Sequence, residues 1–160
     1  MSWRGSTSPT DRIFAALPYL LPISIGVVVH GARLLSSFGL DVVTAFFLPI
    51  AQLSTFPIGL IIFIALFALV INNSNISHFI RYNVFQSLLI GIILTLIEVL
   101  TPVLGNLLGF LPGIQEILQV INSTVFLGVV AAGGFSIVQT ALGRYAEIPS
   151  LSNVVYSQIR

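Results

Sequence analysis

Four long apolar stretches, separated by polar or irregular segments, dominate the pattern of hydrophobic and polar positions along the chain. The stretch 58–71 contains nothing more polar than glycine. Because a helix rises 1.5 Å per residue and a bilayer core is about 30 Å thick, a span needs about 20 residues. The pattern therefore predicts an all-α polytopic membrane protein with four transmembrane helices, at about 13–29, 54–73, 83–101 and 121–142, in one integral membrane domain covering residues 1–160.

Weaker apolar patterns lie outside these predicted spans. Residues 40–48 are mostly apolar but include Asp41 and Thr44 and have glycine, serine and proline as neighbours, and residues 114–120 mix apolar with amide and acidic side chains. The first pattern predicts an interfacial or re-entrant segment that is partly helical, and the second predicts an interfacial segment. At the start of the chain, Thr10 is the candidate N-cap of the first helix. A secretory signal peptide is the alternative to a first span, but Pro18 and Pro22 interrupt the apolar run.

The two prolines of the first span should kink it. A proline lacks the N–H that would bond the carbonyl four residues earlier, so the carbonyls near Phe14 and Pro18 become free for other partners. The result is either a bent packing helix or a hinge that lines a polar path.

Composition agrees with a membrane protein. Hydrophobic residues make up 56% of the chain and charged residues 7%, whereas a soluble domain carries about 25% charged residues. All six basic residues are arginines, and five of them lie at the N-terminus, in the stretch 76–89 or in the tail: Arg4, Arg12, Arg81, Arg144 and Arg160. By the positive-inside rule, these three regions face the cytoplasm or its topological equivalent, and both termini are on that side.

The charged and reactive residues do not form a recognisable catalytic or nucleic-acid-binding pattern. There is no basic block for nucleic acid, no cysteine and no phosphate-binding glycine loop. The two histidines, His30 and His78, fall at opposite predicted membrane faces. We therefore expect no metal, no cofactor, no nucleic-acid partner and no enzymatic activity.

Small residues recur every fourth position along the predicted fourth span: Thr124, Gly128, Ala132, Ser136 and Thr140. Such residues allow the backbones of two membrane helices to approach closely. The face either packs within the protein or docks a partner helix or a second copy of the chain.

Polar residues at the start of the third span form a candidate inner-side contact. Asn83 and Gln86 lie four and seven positions after Phe79, so the three share one helix face, with the two amides just inside the membrane. The pattern predicts that both amides face a neighbouring helix or a passenger chain. Arg81 fits an anchor at the membrane interface.

An outer-side polar cluster is predicted from His30, Arg33, Glu98 and Asn122. Glu98 is the only acidic residue within an apolar run, and such residues are costly in lipid. We expect Arg33 or His30 to pair with it at the outer level; a proton or substrate relay is the alternative.

Three segments resemble a known family: DRIFAALPYLLP at 11–22, ISHFIRYNVFQSLL at 76–89, and NSTVFLGVVAAGGFSIVQTALGRYAEIPSLSNVVYSQIR at 122–160. They are similar to the Tic-twenty family, multispanning subunits of the protein-import translocon of the chloroplast inner envelope. The resemblance implies four helices, both termini stromal or cytoplasmic, and work in moving preproteins beside other translocon membrane subunits. Without a transit peptide, the chain resembles cyanobacterial or plastid-encoded members, which implies a cyanobacterial plasma or thylakoid membrane or the plastid inner envelope.

Two other functions remain open from the sequence. Glu98, the paired prolines and the two inner amides also fit a small transporter or channel protomer. An assembly or scaffold subunit without a conduit is the third hypothesis, since four short spans hardly enclose a pore for a polypeptide.

Overall fold

The fold of residues 7–159 is described by a computed structural model and contains helices but no strand in that range. The helices are α1 (Pro9–His30), α2 (Ala32–Ser37), α3 (Asp41–Gln52), α4 (Ile58–Ile71), α5 (His78–Leu107), α6 (Ile114–Ala141) and α7 (Leu151–Gln158). The predicted all-helical class is confirmed. Within the described part, α1, α5 and α6 are the three helices long and apolar enough to cross a membrane, whereas α4 has 14 residues.

The first helix begins at Pro9, and its N-cap is Ser8, so the prediction of Thr10 is wrong. The Ser8 hydroxyl accepts a hydrogen bond from the Asp11 N–H at 3.1 Å, and the Asp11 carboxylate accepts one from the Ser8 N–H at 3.0 Å. This reciprocal capping box favours Ser8, and Pro9 fits the first helical position because its missing N–H would be unpaired there anyway.

Helix α1 departs from regular α geometry at two places. Residues Leu17–Tyr19 form a 3-10 turn and Gly26–His30 form a wider π turn. The Pro18 carbonyl, which the ring of Pro22 leaves without its helical donor, accepts a hydrogen bond from the Ser87 hydroxyl of α5 at 2.7 Å. The Pro18 carbonyl, one of those predicted to lose their helical donor, therefore has a hydrogen-bond partner within the protein.

Helices α5 and α6 are longer than the predicted third and fourth spans. Helix α5 continues through Pro102 to Leu107, so the expected end at residue 101 is wrong; proline is tolerated within membrane helices when nearby groups compensate. Gly113, with φ of 80°, makes the sharp turn before α6. Because α6 starts at Ile114, residues 114–120 belong to this long helix and are not a separate interfacial segment. Residues 40–48 fall mostly in α3.

The contacts between helix ends give their directions. Arg12 near the start of α1 donates to the Ala141 carbonyl at the end of α6 (3.4 Å), whereas His30 at the end of α1 contacts Asn122 near the start of α6 (2.7 Å). Helices α1 and α6 are therefore antiparallel. We call the end that holds Arg12 and Ala141 the inner end, and the end that holds His30 the outer end, following the predicted orientation.

Helices α1 and α5 run in the same direction. Tyr19 of α1 bonds Asn83 in the second turn of α5, while Arg33, just after α1, lines a pocket with Thr101 near the end of α5. Helix α4 ends at the inner end, where the Arg81 guanidinium donates to the Ile71 carbonyl at 2.7 Å. The segment 31–77 therefore returns the chain from the outer end to the inner end.

Glycines allow α1 and α6 to pack closely. A Cβ atom at Gly26 would overlap Val129, one at Gly31 would overlap Phe126, and one at Gly133 would overlap Ile23. Ile23, Val129 and Phe126 belong to the main apolar core. Small residues at these crossings supply the close contact by which membrane helices associate, since lipid gives them no hydrophobic incentive.

The C-terminal helix covers the inner end of the hairpin formed by α4 and α5. Val155 of α7 and Ile159 just after it are buried, and they pack in one cluster with Ile71, Tyr82 and Leu88. The tail is thus part of the folded body and not a free extension.

We expect Gly133→Ala to destabilise the protein and Gly134→Ala not to. The new methyl group at position 133 would press on Ile23, whereas position 134 has open space; overpacking costs about 1–3 kcal/mol. Both changes gain the same helix propensity, so the pair isolates packing. Thermal unfolding in mild detergent measures the difference, and equal midpoints would contradict the close approach.

Candidate functional site

A buried polar network connects α1 to α5 near the inner end. The Tyr19 hydroxyl donates to the Asn83 side-chain oxygen at 3.0 Å and accepts from the Gln86 amide at 3.0 Å. All three side chains have no exposed surface. Because a buried polar group without a partner costs about 1–3 kcal/mol, these mutual bonds fix the relative position of the two helices.

The two amides of α5 are also bound to backbone carbonyls. Asn83 donates to the Phe79 carbonyl one turn earlier at 2.8 Å, which sets the orientation of its amide. Gln86 donates to the Ala146 carbonyl, in the segment after α6, at 2.6 Å. Gln86 therefore connects α1, α5 and the chain that leads to α7.

The three residues predicted as an inner-side contact have different environments. Asn83 and Gln86 lie in the protein interior, between α1 and α5. Arg81 lies on another side of α5 and donates to the end of α4. This difference follows from helix geometry, since residues two apart point about 200° away from each other.

Aromatic rings surround Tyr145 beside this network. His78, Phe79 and Tyr82 of α5 and Tyr156 of α7 all have ring centroids within 6.5 Å of the Tyr145 ring. Tyr156 donates to the Glu147 carboxylate at 2.9 Å, and partial burial together with this bond raises the pKa of the Tyr156 phenol. The aromatic cluster joins α7 to the start of α5.

The residues predicted as an outer polar cluster are only partly brought together. His30 is buried and bonds the Asn122 side chain at 2.7 Å, and Asn122 also donates to the Leu118 carbonyl at 3.0 Å. Within residues 7–159, Glu98 forms no ion pair or hydrogen bond with His30 or Arg33, so the expected pairing is wrong. The buried His30 is held by an amide of α6, while Glu98 is exposed and lines a groove between α1, α3, α4 and α5.

The small-residue face of α6 divides into two halves. Ser136 and Thr140 are buried in the inner half, whereas Thr124 and Gly128 are exposed in the outer half and Ala132 is half-buried between them. A step of four residues advances 400°, so the face rotates about 40° at each step. The stripe therefore passes from the buried side of α6 at Thr140 to its exposed side at Thr124.

Sequence reasoning missed Tyr19, Ser87 and the Ala146 carbonyl as parts of the network. Tyr19 lies between two prolines in an apolar run, and a buried tyrosine hydroxyl usually has a hydrogen-bond partner. That signal was available, but the identity of the partner depends on residues more than 60 positions away.

The buried polar side chains near both ends of α1 bond residues of neighbouring helices. No group of three or more His, Cys, Asp or Glu residues that could hold a metal ion occurs within the described residues. The network of Tyr19, Asn83 and Gln86 is closed to solvent and joins helices. Long apolar helices with polar groups turned inward define an α-helical integral membrane protein.

The family follows from comparison with known proteins. A family model described as "Chloroplast import apparatus Tic20-like" matches residues 8–155. The chain belongs to the Tic20 family, as its three sequence segments indicated.

Relatives span most or all of the chain. A "Tic20 family protein" of Synechocystis sp. is 41% identical over 100% of this chain and 99% of its own length. "Tic20 family protein Ycf60" of Gracilaria tenuistipitata is 29% identical over 93% of this chain and 75% of that protein. "Protein TIC 20-v, chloroplastic" of Arabidopsis thaliana is 24% identical over 96% of this chain and 73% of that protein. The family is associated with chloroplast protein import and has cyanobacterial and plastid members.

We expect Tyr19→Phe to lower stability much more than Tyr156→Phe. Loss of the Tyr19 hydroxyl leaves the buried Asn83 side-chain oxygen without its donor and removes one of the two acceptors of the Gln86 amide, at a cost of about 1–3 kcal/mol. Tyr156 loses only an exposed bond to Glu147. Unfolding midpoints of both variants in the same detergent test this, and equal losses would contradict the role of the network.

Proposed function

We propose that this protein is a non-enzymatic membrane subunit of a protein translocation complex. It helps preproteins cross or insert into a cyanobacterial plasma or thylakoid membrane or the plastid inner envelope, beside other translocon membrane subunits. The full-length similarity to Tic20 family proteins carries the proposal. The same comparisons do not favour a small transporter, a channel protomer or a scaffold.

The proposed topology has four crossings with both termini on the cytoplasmic or stromal side. Its support is that α1 and α5 run parallel, so the chain between them has to return across the bundle. Helix α4 is the most apolar helix of that segment. Its 14 residues cover only about 21 Å, so this crossing needs flanking residues or local thinning of the bilayer.

The arginines support the proposed orientation. Arg12 and Arg81 both lie at the inner end, beside the ends of α6 and α4 respectively. Arg33 lies at the outer end. The inner-side role that we propose for Asn83 and Gln86 is to hold this end rigid, with Arg81 as an interface anchor.

We further propose that the outer half of the small-residue face binds a partner helix. A Cβ atom added at Gly128 has no neighbour within 4 Å, and Thr124 one turn away is exposed. In the inner half, Ser136 and Thr140 are already buried. The partner is another membrane subunit or a second copy of this chain.

We expect cysteines at Asn75 and Asn153 to be labelled from one side of the membrane and a cysteine at Ser37 from the other. All three positions are exposed, and the natural chain contains no cysteine, so each variant has a single reactive thiol. A membrane-impermeant maleimide applied to inside-out and right-side-out vesicles measures the side. Labelling of positions 37 and 75 from the same side would contradict a crossing by α4.

We expect Gly128→Leu to dissociate the complex isolated in mild detergent, because the larger side chain blocks close approach of a partner helix. Gly134→Leu is the matched control, since it adds the same side chain to the same helix at a second open position. Native gel electrophoresis measures complex size.

Photo-crosslinking from position 124 then tests the function itself. Adducts with an arrested preprotein, or with subunits that also crosslink to it, support a translocation role. Adducts restricted to a complex that never contacts preproteins would contradict it.

A further inference from the structure

A large apolar groove lies between α1, α3, α4 and α5, and residues 53–56, which connect α3 to α4, also line it. Its volume is about 970 Å³, and it is lined by aliphatic and aromatic side chains with a few hydroxyl and amide groups. Glu98 is the one ionisable residue among those that line it. Gly91 of α5 also lines the groove. A Cβ atom added there would have no neighbour within 4 Å, so the groove is open at that point.

A small polar pocket adjoins this groove at the outer end. Its volume is about 310 Å³, and Pro102 lines both spaces. The polar side chains that line it are those of Arg33, Thr101, Asn106, Gln115, Gln119 and Asn122. Arg33 is therefore the one charged residue of the pocket, and it is surrounded by amide groups.

The pocket has free hydrogen-bond donors. Within residues 7–159, the side chains of Arg33, Asn106 and Gln115 form no hydrogen bond or ion pair. Asn122, in contrast, is held by His30 and by its own helix. A guanidinium group with nearby amide donors and no lining carboxylate is suited to an oxyanion such as a phosphate or sulfonate.

The position of the pocket indicates the source of this anion. It lies at the ends of α1, α5 and α6, which are the helices long enough to cross a membrane, so it is at the level of lipid headgroups. The groove beside it runs along the apolar parts of α1 and α5. A free phosphate would leave the groove unused, and an apolar peptide segment would leave the Arg33 pocket unused.

We propose that the groove and the pocket together bind one anionic glycerolipid. The acidic headgroup contacts Arg33 in the pocket, and the acyl chains lie in the groove along α1 and α5. Glu98 precedes Thr101 and Pro102 by three and four positions, so its carboxylate lies one turn below the pocket on the same face of α5. There it accepts hydrogen bonds from hydroxyl groups, which favours an acidic headgroup that carries a polyol.

The proposal does not depend on the translocation function, and lipid binding to the purified full-length chain tests it. The probes are dioleoyl phosphatidylglycerol, dioleoyl phosphatidylcholine with the same chains, and glycerol phosphate without chains. We expect phosphatidylglycerol to bind about tenfold or more tightly than phosphatidylcholine, the factor that one charge-assisted hydrogen bond supplies. Native mass spectrometry of titrated detergent samples measures both.

Substitutions in the pocket and in the groove distinguish binding of the lipid headgroup from binding of the acyl chains. Arg33→Gln should remove the preference for phosphatidylglycerol, and Arg33→Lys should keep part of it. Arg144→Gln, which removes an exposed arginine far along the chain in the tail, should have no effect. Gly91→Leu should weaken the binding of both lipids because the leucine side chain fills the groove, whereas Gly134→Leu on α6 should leave their binding unchanged.

Three results would overturn the proposal. Equal binding of the two lipids would mean that the pocket does not recognise the headgroup. Equal binding of glycerol phosphate and the anionic lipid would indicate a site for a free anion. Displacement of both lipids by an apolar peptide, with no effect of Arg33→Gln, would identify a peptide groove.

Discussion

The hydroxyl group of Tyr19 satisfies a constraint that every membrane-embedded fold has to meet. Lipid offers no hydrogen bonds, so each polar group in the interior needs a partner within the protein. Tyr19 bonds Asn83 and Gln86, and Gln86 in turn bonds the Ala146 carbonyl. The position of α1 on α5, and that of the chain leading to α7, depend on these few bonds.

Proline and glycine adapt the backbone of α1 to this arrangement. Pro22 leaves the Pro18 carbonyl without its helical partner, and Ser87 supplies the missing donor. Further along, Gly26 and Gly31 allow α6 to approach α1 so closely that a methyl group would not fit. Buried hydrogen bonds thus join α1 to α5, while close packing at glycines, together with hydrogen bonds near the two ends, joins α1 to α6.

The two ends of the bundle differ in a way that matters for a subunit of a membrane complex. The inner end is closed by the aromatic cluster around Tyr145 and by the buried side chains of α7. The outer end keeps an exposed small-residue surface at Thr124 and Gly128, an open groove and an unpaired Glu98 within the described chain. Internal contacts stabilise one end, and the other end keeps the exposed surfaces at which we propose that lipid and protein bind.

The sequence by itself determined the helical membrane class, the family, the freed carbonyl of Pro18 and the shared face of Asn83 and Gln86. Each of these depends on composition or on residues within about two turns, where helix periodicity fixes geometry. The lengths of α5 and α6, the partner of His30 and the isolation of Glu98 depended on the tertiary structure. Those features arise between residues far apart in the chain, such as His30 and Asn122, and only packing decides which distant side chains meet.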